Sequence, residues 1–157
     1  EEQKAKIEAA LNNTKPNKNQ LILDIGCGTG LLFQHITLAK IIVGIDISPK
    51  ILQEAKKRAK QLPNTTVIRA DADYTPFPNQ TFNQVFAITL LQNMPNPLKT
   101  IQEIRRVGKP QATIIITGLE KKFTQEGFLN LLNKSGLKIS TLKTNSQLKE
   151  YIALCKN

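Results

Sequence analysis

The chain has 157 residues, with 22 Lys and Arg against 12 Asp and Glu, one His and two Cys, giving a formal charge of +10. This length suits one domain with a sizeable core, so a single domain over residues 1–157 is expected. No run approaches the ~18 apolar residues of a membrane span, the start "EEQKAKIEAALNN" lacks a signal-peptide layout, and Cys27 and Cys155 lack the paired spacing of a zinc site or disulfide scaffold. A cytoplasmic protein with no metal and reduced, unreactive cysteines is expected.

Residues 2–12 read as an amphipathic helix, followed by a polar loop, "NNTKPNKNQ". "LILDI" (21–25) and "IIVGI" (41–45) are short, continuous apolar runs of the kind found in strands buried on both faces. Between them "GLLFQHITLA" predicts a helix. "SPKILQEAKKRAKQL" (48–62) predicts another, with Ser48 as cap, Pro49 at the first helical position, and Ile51, Ala55, Ala59 and Leu62 along one side. "TVIRA" (66–70) and "QVFAI" (84–88) are the next strands. A third helix opens on Asn96 and Pro97 and stops at Gly108 and Pro110. "ATIIIT" (112–117) is a strand, followed by a helix at about 124–135 and the strands "LKISTL" (137–142) and "EYIALC" (150–155). Alternation of this kind builds a parallel sheet covered on both faces. The last two strands are too close in sequence for a helical crossover, so they pair antiparallel or sit apart. The expected fold is α/β, a doubly wound sheet with one reversed strand near its end.

The four aspartates are the informative carboxylates. Asp24 and Asp46 end the first two strands, and Asp71 and Asp73 follow the third. In such sheets the ligand crevice lies outside the carboxyl ends of the strands, so these side chains converge on one rim, whereas the eight glutamates are scattered. Each singly could be a turn former or helix cap. Between them, Gly26, Gly28 and Gly30 alternate. The dinucleotide fingerprint G-x-G-x-x-G would need glycine at position 31, where this chain has Leu31. A carboxylate beside the turn repels phosphate and attracts a cation, so a ligand carrying an ammonium and a sulfonium fits better.

"LDIGCGTG", "VGIDIS" and "RADADYTPFPNQTFNQVFAITLLQNMP", continuing through "TIIIT", resemble the class I S-adenosylmethionine-dependent methyltransferases, closest to the group typified by quinone-biosynthesis enzymes. The resemblance covers residues 20 to about 117. It implies a Rossmann-like seven-stranded sheet of order 3-2-1-4-5-7-6, with 1–19 as N-terminal helix and linker and 20–157 as catalytic core, and S-adenosylmethionine as cofactor. By position it implies that Asp24, Gly26, Cys27, Gly28 and Gly30 hold the methionine end. It further implies that Asp46 binds the ribose hydroxyls, Ile47 packs on the adenine, Asp71 and Ala72 meet the adenine edge, and Thr89 and Leu90 close the pocket near the sulfonium. Asn83 and Thr75 stand where relatives often carry Asp and Leu; the first is expected outside the pocket, the second at the substrate mouth.

In-line methyl transfer leaves the chemistry to the cofactor and alignment to the protein. Gln92, Asn93 and Tyr74 are the candidates for acceptor handling. His35 lies past the glycine turn and is expected to face solvent or pack locally. An N-P-P-Y-type motif and a Pro-Cys pair are absent, which disfavours planar amines and covalent attack on a pyrimidine. The basic charge leans toward RNA or another macromolecule. A small-molecule acceptor, quinone-like or other, and a non-catalytic cofactor-binding partner subunit remain alternatives.

Overall fold

The computed structural model describes residues 1–12 and 14–157; Asn13, in the loop expected at 12–20, lies outside the described residues. In chain order the elements are α1 (Glu2–Leu11), β1 (Leu21–Ile25), a 3-10 turn (Leu31–His35), β2 (Ile41–Asp46), α2 (Pro49–Ala59), β3 (Thr65–Arg69), β4 (Phe82–Ala87), a second 3-10 turn (Leu91–Asn93), α3 (Pro97–Val107), β5 (Gly108–Leu119), α4 (Gln125–Lys134), β6 (Lys138–Asn145) and β7 (Glu150–Lys156). The seven strands form one sheet in the order β3-β2-β1-β4-β5-β7-β6. β1 runs parallel to β2 and β4, β2 to β3, and β4 to β5, while β7 is antiparallel to both β5 and β6. The doubly wound sheet with one reversed strand is therefore as expected, and its order is 3-2-1-4-5-7-6.

Successive strand residues point to opposite faces, which divides the core in two. Leu23, Ile25, Val85, Ile114 and Ile116 pack with Ile101 and Ile104 of α3 and with Phe128 and Leu132 of α4. Ile22, Ile42, Phe86, Ile115 and Ile152 pack with Ile7 and Ala10 of α1 and with Leu52 and Ala55 of α2. The helices start where their caps dictate. Ser48 Oγ accepts from Ile51 N, Asn96 Oδ1 from Lys99 N and Thr124 Oγ1 from Gly127 N, and Pro49 and Pro97 follow the first two caps.

Three local expectations change. The helix over residues 30–39 is only the 3-10 turn Leu31–His35: its cap is Gly30 in the left-handed region, which offers no side-chain acceptor, and β-branched Ile36 is already extended. On α2 the fully buried residue of the first turn is Leu52, while Ile51 stays 41 % exposed, at the carboxyl-end rim of the sheet. β5 begins at Gly108 with no intervening loop. The register shift between Phe82 and Gln84, together with the positive φ of Gln111 (64°), takes up the extra residues around Pro110 as an irregularity in the strand.

Candidate cofactor cleft

The glycine turn is built by backbone geometry. Gly26, Gly28 and Gly30 have φ of 75°, 54° and 77°, the left-handed region where glycine carries no Cβ penalty. Gly26 N and Cys27 N both donate to Ile45 O, at 2.9 and 2.8 Å, and Gly30 N donates to Cys27 O at 2.9 Å. Asp46 closes the arrangement: its Oδ2 accepts from Gly28 N at 3.0 Å and its Oδ1 from Ser48 N at 2.9 Å. Each oxygen keeps a second lone pair for a ligand.

Two adjoining cavities lie at this end of the sheet, with volumes of about 350 and 240 Å3. The larger is lined by Asp24, Gly26, Cys27, Gly28, Asp46, Thr89 and Asn93, among others. The smaller is lined by Gly26, Asp46, Ile47, Asp71, Ala72, Leu90 and Asn93, again among others. Gly26, Asp46 and Asn93 border both. All four aspartates thus reach the cleft, and no Lys or Arg lines either cavity among the described residues.

Asp24 is 3 % exposed, its Oδ2 has no hydrogen-bond partner among the described residues, and burial, reinforced by the neighbouring Asp46 charge, pushes its pKa up to about 8. A Cβ on Gly28 would meet nothing within 4 Å, so this backbone faces open cavity; one on Gly26 would come within 2.8 Å of Leu90 Cδ1. Ile47 is 60 % exposed, an unusual position for isoleucine, on the rim of the smaller cavity. Asp71 Oδ1 accepts from Asp73 N at 2.8 Å, and Asp73 Oδ1 accepts from the buried Thr100 hydroxyl at 2.6 Å. Thr89 is a β-branched residue at φ 59°; its N–H donates to Thr117 Oγ1 at 2.9 Å.

Not every candidate lines the cleft. Gly30 borders neither cavity. It packs where any side chain would run into the Phe33 ring, so its place is in the wall behind the turn. Tyr74 is 69 % exposed, outside both cavities, and its ring and hydroxyl are engaged by Lys99. Gln92 also lines neither cavity, and its amide nitrogen and oxygen are buried without partners among the described residues. Asn93 does line both, with its Nδ2 donating to Thr89 O at 3.2 Å. Thr75, expected at the substrate mouth, is instead buried against α3. Its N and Oγ1 donate to Glu103 Oε1 at 2.9 and 2.6 Å, and Arg106 grips the same carboxylate, holding the Glu103 pKa down to about 2. Asn83 lies outside the cleft, where its Oδ1 accepts from Leu21 N. Burial pushes the Cys27 thiol upward and that of Cys155 to about 12, so both stay protonated.

Other lining residues were not foreseen. Gln3 and Ile7 of α1 reach over the larger cavity, and Met94 and Pro95 wall the smaller. The i, i+4 spacing of Gln3 and Ile7 was a signal, but nothing in the sequence says where the helix docks.

Residues 23–116, more than half of the chain, match the family described as methyltransferase domain. The chain belongs to this methyltransferase domain family. The methyltransferase domain is 32% identical over 96 residues to a demethylmenaquinone methyltransferase of Tropheryma whipplei, an alignment covering 60% of this chain and 40% of that protein. The chain therefore spans about two fifths of the length of that relative. In fold it is similar to a chain in the complex of the Haloferax volcanii Trm112 methyltransferase activator, with TM-score 0.87, 15% identity, and 95% and 87% of the two chains covered. It is also similar to a SAM dependent methyltransferase from Aquifex aeolicus, with TM-score 0.80, 19% identity, and 96% and 88% covered.

Proposed function

We propose that the cleft binds S-adenosylmethionine and that the domain transfers its methyl group to a small, uncharged acceptor. The observation that carries the cofactor reading is the orphaned Asp24 Oδ2 beside glycine backbone open to the cavity. A buried carboxylate without a partner is costly, and a cationic ligand group supplies what it lacks. The four aspartates suit a ligand with a positive charge and hydroxyl donors and no phosphate. In this reading Asp24 faces the ammonium, Gly28 allows close approach, Asp46 accepts from the ribose hydroxyls, Asp71 and Ala72 meet the adenine edge, and Ile47 covers its face.

When bound, S-adenosylmethionine supplies a methyl group on a sulfonium, with a neutral leaving group. The chain supplies alignment and exclusion of water, which in well-oriented systems contributes roughly 7–11 kcal/mol. Ile7, Leu31, Ile51 and Ile88 give the larger cavity an apolar wall, and Asn93 and Gln3 offer polar contacts there. That lining favours a neutral, partly apolar acceptor, in keeping with the quinone named for one relative. The charge of +10 favours a second reading, an RNA or protein acceptor. A partner subunit enters by likeness to a chain complexed with an activator. The cytoplasm is the proposed location; among the described residues no helix is long and apolar enough to cross a membrane.

Thermal-shift titration tests the cofactor reading. S-adenosylmethionine and its demethylated product are expected to raise Tm and Asp46→Ala to weaken the effect, whereas NAD stabilising in their place would refute it. Labelled-methyl transfer into cell extract, fractionated into lipid, nucleic acid and protein, tests the acceptor: counts in lipid or small metabolites support the first reading, counts in RNA or protein the second.

A further inference from the structure

Two buried polar residues that line neither cavity, Thr117 and Glu150, are linked to Thr89 of the cleft wall. Glu150, the first residue of β7, is 0 % exposed, and among the described residues neither of its carboxylate oxygens meets a donor at full hydrogen-bond geometry. A buried acid so placed weakens a fold unless its surroundings employ it. In the antiparallel pair of β5 and β7, Thr117 lies opposite Ile152 and Leu119 opposite Glu150. Thr117 and Glu150 are therefore diagonal neighbours on one face, a separation that a long side chain spans. Burial raises the pKa of Glu150; the Thr117 hydroxyl and then the Lys6 ammonium of α1 act against that rise, and Glu2 adds to it. Lys6 is itself 3 % exposed and pairs with Glu2 at 3.0 Å.

Thr117, also 0 % exposed, uses its oxygen to accept the Thr89 N–H at 2.9 Å. With that oxygen occupied as an acceptor, its proton is free to point to another acceptor, and the Glu150 carboxylate lies on the same face. Thr89 needs such support. At φ 59° a β-branched residue is strained, and the strain persists only where the surroundings over-determine the backbone. Thr89 in turn walls the larger cavity beside Asp24 and Gly28 and fixes Asn93 through its carbonyl oxygen.

We propose that Glu150 is a positioning residue: through the Thr117 hydroxyl it holds the Thr89 backbone in the left-handed conformation that shapes the cofactor cleft. The proposal rests on the cofactor reading above. It assigns Glu150, near the end of the chain and remote in sequence from every motif, to the same cleft.

The test is calorimetric binding of S-adenosylhomocysteine to the full chain and to Thr117→Val, Thr117→Ser, Glu150→Gln and the double variant Thr117→Val/Glu150→Gln. Thr117→Val is expected to bind about tenfold more weakly, since it leaves the Thr89 N–H unpaired. Thr117→Ser keeps the hydroxyl and binds as the wild type does. Glu150→Gln binds about threefold more weakly, because an amide can offer Thr117 a donor in place of an acceptor, and it adds nothing in the Thr117→Val background. Hydrogen exchange at the Thr89 amide rises about threefold in the isosteric Glu150→Gln variant. A residue that only fills space would not move this readout, and it remains accessible should Thr117→Val fail to fold. Wild-type affinity and unchanged Thr89 exchange in Glu150→Gln, or additive losses in the double variant, overturn the proposal and leave the cofactor reading standing. No binding by the wild type overturns both.

Discussion

Asp24 sits where hydration is withdrawn and a second carboxylate stands nearby, so its neutral form is favoured until a cation arrives. Its pKa rises from an ordinary 3.8 to about 8, burial being the larger cause and Asp46 the smaller. The folded state therefore holds a proton that the unfolded chain gives up. This preference contributes stability that is fully present below about pH 4 and is lost as pH rises through about 8. Without ligand, the Tm of the wild type should thus fall between pH 4 and 8 relative to that of Asp24→Asn, which carries no proton to lose. Parallel Tm profiles for the two proteins over this range would show that Asp24 is ionised throughout. The place of Asp24 in the cleft was legible in the sequence only jointly with Asp46, Asp71 and Asp73, because carboxylates at the ends of three successive strands converge on one rim. Its lack of a partner was not, since that depends on what the fold places around it.

At the scale of the element, the glycine turn separates binding from folding. A Cβ on Gly28 touches nothing within 4 Å, while one on Gly30 collides with Phe33. Gly28→Ala is expected to cost only about 1 kcal/mol of stability, the left-handed penalty, yet to fill the cavity and weaken S-adenosylmethionine binding at least tenfold. Gly30→Ala should instead unfold at markedly lower temperature, by denaturation monitored with circular dichroism, with the residual folded protein still able to bind. The reverse pattern would place the ligand on the wrong side of the turn. The strands and the helices α2, α3 and α4 were readable because their caps and apolar spacing agree with their tertiary roles. The segment after Gly30 misled because apolar residues at helical spacing lacked a cap. Thr75 misled because a motif position says nothing about Glu103 and Arg106 approaching from α3. Glu150 carried no local signal at all, being brought to Thr117 by an antiparallel pairing of distant segments.

Over the whole molecule the charges are segregated. Most of the lysines and arginines behind the net +10 are exposed, while the cleft is lined by carboxylates, apolar groups and neutral polar groups. Two kinds of association should then respond differently to salt. Retention of RNA by the basic exterior is expected to fall steeply, log–log, between 50 and 200 mM salt, roughly one unit of slope per phosphate contacted. Binding of a small ligand inside the shielded cleft should change little, because buried charge pairs are poorly screened. Fluorescence titrations at several ionic strengths check both, and a steep slope for the small ligand would move the recognition outward to the lysines. Among the described residues the two cavities share Gly26, Asp46 and Asn93, so these residues mark the junction of two adjoining chambers. For the proposed cofactor such a recess would act as two tethered cups: with a nucleoside at one end and an amino acid at the other, joining them converts the second capture into an intramolecular step with a high effective concentration. If the proposed cofactor spans both chambers, its demethylated product keeps both footholds once the methyl group has left, and release of that product is then expected to be slower than methyl transfer, which burst-phase kinetics would check.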